Sequence, residues 1–169
     1  EESVLAERVA AAGPLLLGFD LAAPAAFTRD AKIQATYWKI RKGLFPSVGA
    51  VRATGTAVVI EDVTFPVDRL AVGVRRLRAC FEAHGYGDAV IFGHAKDGNL
   101  HFTLTPDLSH SEEVTRYDRF MQAMVALVLV EGGHLKAEHG TGRNIAPFVA
   151  QQWGTDAVAI MRRIKVLLD

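Results

Sequence analysis

The chain holds 169 residues, half of them hydrophobic, with 19 Lys plus Arg balanced by 19 Asp plus Glu. Zero net charge supplies no field that would gather nucleic acid or an anionic membrane surface, so neither partner is expected. The length suits one domain with a sizeable core, and the lone Cys80 excludes an internal disulfide framework and suits a reducing, cytoplasmic compartment.

The longest uninterrupted apolar run, Ala123 to Val130, falls far short of the roughly 20 residues that cross a bilayer. Glu1-Glu2 stands where a secretory leader would need a basic region. Residues 3 to 12 read as a short helix ended by Gly13-Pro14, followed by a strand-like Leu15-Leu16-Leu17-Gly18-Phe19. Thr28 and Asp30 suit the first turn of a second helix, in which Ile33, Tyr37, Ile40 and Leu44 recur at helical spacing and which Pro46 should end. A loop from Ser47 to Gly55 leads to a β-branched strand, Ala57 to Val63. Thr64-Phe65-Pro66 then opens a helix with a buried stripe of Val67, Leu70, Ala71, Val74, Leu77 and Phe81, whose Arg75, Arg76 and Arg78 read as a solvated face.

Asp97-Gly98 is a two-residue hairpin signal of type I′, since both turn positions need positive φ. Folding about it puts His94 directly opposite His101, with Cβ atoms about 5 Å apart. In Asn99-Leu100-His101-Phe102-Thr103-Leu104-Thr105 the even positions are apolar, so His101 should face away from the core layer of Leu100, Phe102 and Leu104. Two imidazoles so placed can hold one metal ion, with a carboxylate such as Glu138 as third ligand and open positions left over, as a catalytic site requires.

Beyond the hairpin, Ser111 can cap a helix with the apolar face Val114, Tyr117, Met121, Met124, Val125 and Val128. After Gly132-Gly133 there is room for a short strand at His134 to Ala137 before Glu138-His139 and the glycines of Gly140-Thr141-Gly142. Pro147 and Asp156 open the final helical pieces, and Ala157, Ile160, Met161, Ile164 and Leu167 give the last helix its buried side. Irregular alternation of strands and helices around a hairpin points to a two-layer α+β domain with a largely antiparallel sheet covered by helices.

Adjacent residues on an extended segment point to opposite sides, so Glu138 and His139 cannot easily be equivalent ligands of one ion. Glu138 is therefore read as the ligand and His139 as a base placed to remove a substrate proton. A dinucleotide fingerprint fails because Ile145 stands where the third glycine of Gly140-x-Gly142 should be. A nucleophile elbow fails because Phe45 precedes Ser47 where a glycine is needed, and HExxH and Walker-type motifs are absent.

GHAKDGNLHF and GGHLKAEHGTGRNIAPF, together with YWKIRKGLFPSVGAVR and VVIEDVTFPVDRL, resemble the signature stretches of the carboxy-terminal substrate domain of FAD-linked 2-hydroxyacid oxidases and dehydrogenases. That family includes D-lactate dehydrogenases, glycolate oxidase subunits and D-2-hydroxyglutarate dehydrogenases. The resemblance covers most of residues 36 to 168 and is strongest to the long, iron-sulfur-containing branch. It implies that a divalent metal (Zn, Mn or Fe) sits on His94, His101 and Glu138, that His139 takes the hydroxyl proton as hydride passes to flavin, and that Arg41 grips the substrate carboxylate.

It further implies that residues 1 to 169 form the substrate and metal-binding cap of a longer flavoenzyme whose FAD-binding domain is a missing partner, with an iron-sulfur cluster elsewhere in the full-length protein. A small 2-hydroxyacid is the expected substrate. Ile60 departs from the lysine that some 2-hydroxyglutarate enzymes carry there, which leaves Lys42 or Arg52 as candidates for a second carboxylate. Two other classes fit the ligand pattern: a metal-binding interaction module without redox activity, and a metal hydrolase in which His139 activates water.

Overall fold

Val59–Thr64 (β1), Val90–His94 (β2) and Asn99–Leu104 (β3) build one antiparallel sheet of order β1-β3-β2; β3 alternates apolar and polar residues, while β1 and β2 are rich in β-branched and aromatic ones. The computed structural model describes residues 2–169, which divide into two compact units, one ending at Pro46 and the other running from Ser47 to Asp169. The sheet belongs to the second unit, together with α3 (Leu70–Ala83), α4 (Ser111–Val130), α5 (Gly142–Ile145), α6 (Val149–Trp153) and α7 (Thr155–Leu168). This is the α+β class expected, with a small antiparallel sheet.

The two faces of the sheet are chemically distinct. Val63, Leu100, Phe102 and Leu104 point to the helices, where Phe81 of α3 and Phe120 of α4 meet Phe102 at ring-centroid distances of 5.2 and 6.1 Å. Burying one such phenylalanine contributes up to about 3 kcal/mol. On the opposite face Ile60, Asp62 and Thr64 stand beside Thr103, His101 and Asn99, and Val90, Phe92 and His94 complete the set. Alternation thus sends His101 away from the aromatic core, as expected. Met121, Met124, Val125 and Val128 of α4 are buried in that core, and Cys80 is buried and free.

The hairpin is not the type I′ turn read from Asp97-Gly98. Ala95–Asp97 form a single 3-10 turn, and Gly98 alone takes positive φ, at 66°. A side chain at Gly98 would run into the Phe65 carbonyl, because the Phe65 amide donates to the Gly98 carbonyl at 2.9 Å. The longer turn shifts the register: His94 pairs with Asn99, and Phe92 lies opposite His101. Positions i and i+2 of a strand share a face, so both imidazoles still project from the same side.

Several boundaries also move. In the first unit α1 (Glu2–Leu16) continues through Pro14, so no strand forms at Leu15–Phe19; the proline removes one amide donor from the helix without ending it. α2 (Ala31–Val51) straddles the division and runs past Pro46, which removes most of the expected loop. Asp30 caps it, its Oδ1 accepting the amides of Lys32 and Ile33 at 2.7 and 3.2 Å. Ser111 makes no capping hydrogen bond, since it already lies within α4. His134 forms only an isolated bridge to Thr64 instead of a strand. α7 exposes Ile160, Met161, Ile164 and Leu167, because its main neighbour, the five-residue α6, is too short to cover that stripe.

Candidate metal centre

Two segments meet at the polar face of the sheet: the hairpin, and the chain after the Thr64–His134 bridge, which leads past the edge strand β1. Glu138 Oε1 lies 2.9 Å from His101 Nε2 and 3.3 Å from His94 Nε2. The ligating atoms of His94, His101 and Glu138 all fall within 4.8 Å of one another, so a single ion could bridge them. His139 stacks on His101 with ring centroids 4.6 Å apart and planes 9° apart, its Nε2 3.9 Å from Glu138 Oε1. His101 is buried, while the Glu138 side chain is about half exposed, which leaves the cluster open on one side.

The protonation of His101 is constrained from both edges. Its Nδ1 is 3.4 Å from Asp62 Oδ1, too long for a full hydrogen bond, and has no other partner among the described residues. Burial pushes the His101 pKa down, aided by repulsion from His139 and His94 and opposed by attraction to Asp62 and Glu138. A neutral imidazole carries one N–H, and here two carboxylates face its two nitrogens. Whichever carboxylate receives no proton looks onto a lone pair, a contact that a cation on that edge would relieve. The donor set therefore suits a divalent ion, and borderline imidazole and carboxylate ligands fit zinc, manganese or iron.

Asp62 is fully buried and was not singled out by sequence reasoning. Its Oδ2 accepts the amides of Ala137, Glu138 and His139 at 2.9, 2.7 and 2.9 Å, and its Oδ1 accepts the Asn99 side-chain amide at 2.5 Å. Burial raises its pKa, but these hydrogen bonds, that of the His139 amide foremost, prevail and hold the carboxyl below its ordinary value. Glu61 beside it is equally withdrawn from water and pairs with Lys136 Nζ at 2.6 Å and Asn144 Nδ2 at 2.8 Å. The available signal was two adjacent acids inside an apolar, β-branched strand.

The hairpin histidines, Glu138 and His139 thus come together as a cluster. Arg41 lies on α2 in the first unit, exposed, its guanidinium 5.5 Å from the centre of the Trp38 ring. The Arg52 guanidinium is engaged by the carbonyls of Gly49 and Thr56 at 2.5 and 3.1 Å, which makes it an anchor for the end of α2 more than a free cation.

A family model for the C-terminal domain of FAD-linked oxidases matches residues 2–169. The chain belongs to the FAD-linked oxidase C-terminal domain family. Among curated proteins this FAD-oxidase domain is 32% identical over 143 residues to a D-lactate dehydrogenase [cytochrome], mitochondrial, of Arabidopsis thaliana, covering 85% of the chain and 25% of that protein. It is 26% identical over 123 residues to glycolate oxidase subunit GlcD of Bacillus subtilis (strain 168), covering 73% and 26% respectively. With a probable D-2-hydroxyglutarate dehydrogenase, mitochondrial, of Oryza sativa subsp. indica it shares 28% identity over 149 residues, covering 88% and 25%. The domain spans about a quarter of the length of these relatives. Among the described residues no helix is long and apolar enough to cross a membrane.

Proposed function

We propose that this chain is the substrate- and metal-binding domain of an FAD-dependent 2-hydroxyacid dehydrogenase, of the D-lactate or D-2-hydroxyglutarate type, whose flavin is held mainly by another domain of the same enzyme. The observation that carries the reading is the convergence of His94 and His101 on one oxygen of Glu138, with the His139 ring stacked alongside. A purely structural pair of hairpin histidines would not require a half-exposed carboxylate and a third imidazole at the same spot. The family match and the relatives named as lactate, glycolate and hydroxyglutarate enzymes support the substrate class.

In this reading His94, His101 and Glu138 hold the divalent ion. The chemistry supplied by the bound groups is Lewis-acid polarisation of the substrate's hydroxyl and carboxylate oxygens and acceptance of a hydride by flavin. The chain's own contribution is placement of a base. His139 Nε2 takes the hydroxyl proton at the open side of the cluster, and stacking on the buried His101 ring fixes the plane from which it reaches. Arg41 binds the substrate carboxylate through two parallel N–H donors, a task suited to a planar guanidinium. An iron-sulfur cluster, where the enzyme has one, lies outside this domain, and the buried free Cys80 suits a reducing compartment such as the cytoplasm.

His139→Ala in the flavin-loaded enzyme tests the assignment by rapid-reaction spectroscopy. Hydroxyacid-dependent bleaching of the flavin should slow by at least 100-fold while metal content stays unchanged. Bleaching at the original rate would show that His139 is not the base. A metal-binding module without redox activity would give no bleaching in either protein.

A further inference from the structure

Asp62, His101 and His139 also offer donor atoms within 4.8 Å of one another, and at first sight could pass for a second metal site. Their hydrogen bonds argue otherwise. A carboxylate has about four lone-pair positions. Asp62 already receives four N–H donors: three consecutive backbone amides, from Ala137, Glu138 and His139, on Oδ2, and the Asn99 amide on Oδ1. Little capacity remains for a cation, and what remains faces His101 Nδ1 at 3.4 Å.

We propose that Asp62 is a positioning residue: it anchors the backbone that presents Glu138 and His139, and it stands where it accepts the Nδ1–H of His101 once a divalent ion claims the Nε2 lone pair. This rests on the metal reading of His94, His101 and Glu138. Three successive amides converging on one oxygen curl the chain tightly at residues 137 to 139. That curl sends the Glu138 carboxylate to the two hairpin imidazoles and lays His139 over His101. Asp62 and His101 face each other across the β1–β3 ladder, so strand register itself brings carboxylate and imidazole together. One buried side chain thereby sets both a ligand's tautomer and the position of the base, as outer-shell carboxylates do for metal-bound histidines.

Asp62→Asn separates this role from bulk stability. The replacement has the same shape and can keep an oxygen towards the three amides, with the Asn99 amide turned to present its oxygen, but its NH₂ edge then donates towards His101 Nδ1 and opposes the Nδ1–H form that a metal on Nε2 requires. Two measurements on the purified chain test it: imidazole ¹⁵N shifts of His101 with and without zinc, and cobalt(II) titration followed by its visible absorption. The unaltered chain should carry Nε2–H at His101 without metal, facing Glu138, should carry Nδ1–H with zinc bound, and should bind cobalt. Asp62→Asn should keep its far-ultraviolet circular dichroism, keep the proton on Nε2 at zinc concentrations that move it to Nδ1 in the unaltered chain, and bind cobalt 10- to 100-fold more weakly.

Undiminished cobalt affinity in a folded Asp62→Asn chain would overturn the proposal while leaving the metal site intact. Should that variant not fold, the unaltered chain decides alone, since a zinc-bound His101 that keeps Nε2–H would ligate through Nδ1 and overturn the role given to Asp62. Absence of cobalt binding in the unaltered chain would overturn the metal reading, and this inference with it.

Discussion

Glu61 and Asp62 are neighbours on β1, both withdrawn from water, yet they keep their charges in different ways on opposite faces of one sheet. Glu61, on the helix-packed side, is neutralised by a cation, Lys136, with Asn144 satisfying its other oxygen. Asp62, on the histidine side, has no Lys or Arg against it among the described residues and is held by backbone and amide N–H groups. A lysine beside the histidines would compete electrostatically with a metal ion, whereas neutral amides hold a carboxylate without adding a full positive charge. The difference separates an acid that ties two segments together from one that shapes a site.

Removing the amide-held acid should have the larger effect. Asp62→Ala takes the acceptor from three part-buried backbone amides and leaves the Asn99 side chain only the Val63 carbonyl, and should cost about 4 kcal/mol in urea unfolding, given about 1–3 kcal/mol for each unsatisfied group and partial rescue by water. Lys136→Met strands the buried Glu61 charge with Asn144 alone and should cost about 3 kcal/mol. Adding Glu61→Leu to Lys136→Met should recover most of that loss, because an apolar pair no longer carries an unpaired charge. A double variant as unstable as the single one would mean that the ion pair is not what holds Lys136 in place.

A third withdrawn acid sharpens the contrast at lower amplitude. Glu131 is held by Arg69 at 2.5 Å and by Arg76, and these two arginines keep its pKa below the ordinary 4.5. A depressed folded-state pKa gives stability that is fully present above the unfolded value and is lost as pH falls through the folded one. Stability should therefore decline on acidification below about pH 4.5 in the unaltered protein and less steeply in Glu131→Gln. Parallel acid limbs in the two proteins would remove the pair from the pH response.

The sites of these charges were unevenly legible in the sequence. His94, His101, Glu138 and His139 carried their own signal, in a hairpin flanked by alternating residues and in an acid-imidazole pair set among glycines. The register between His94 and His101 did not, because it depends on whether the turn takes two residues or a 3-10 turn with Gly98 in the left-handed region. Shared facing survived, since His94 and His101 keep the same parity on their strands under either register. Asp62 was hidden because its partners are backbone amides of residues 137 to 139, which no side-chain pattern records. Pro14 and Pro46 misled in the other direction, since each removes one amide donor but the helix around it continues. The apolar stripe of α7 was real as a pattern, but burial needs a partner that α6 is too short to be.

Metal content bears most directly on the central claim that the polar face of the sheet is a metal centre. Elemental analysis of the purified chain, beside a His94→Ala/His101→Ala double variant, should find close to one zinc, manganese or iron per unaltered chain and only background in the variant. Metal retained equally by both, or found in neither after dialysis against each ion, would contradict it.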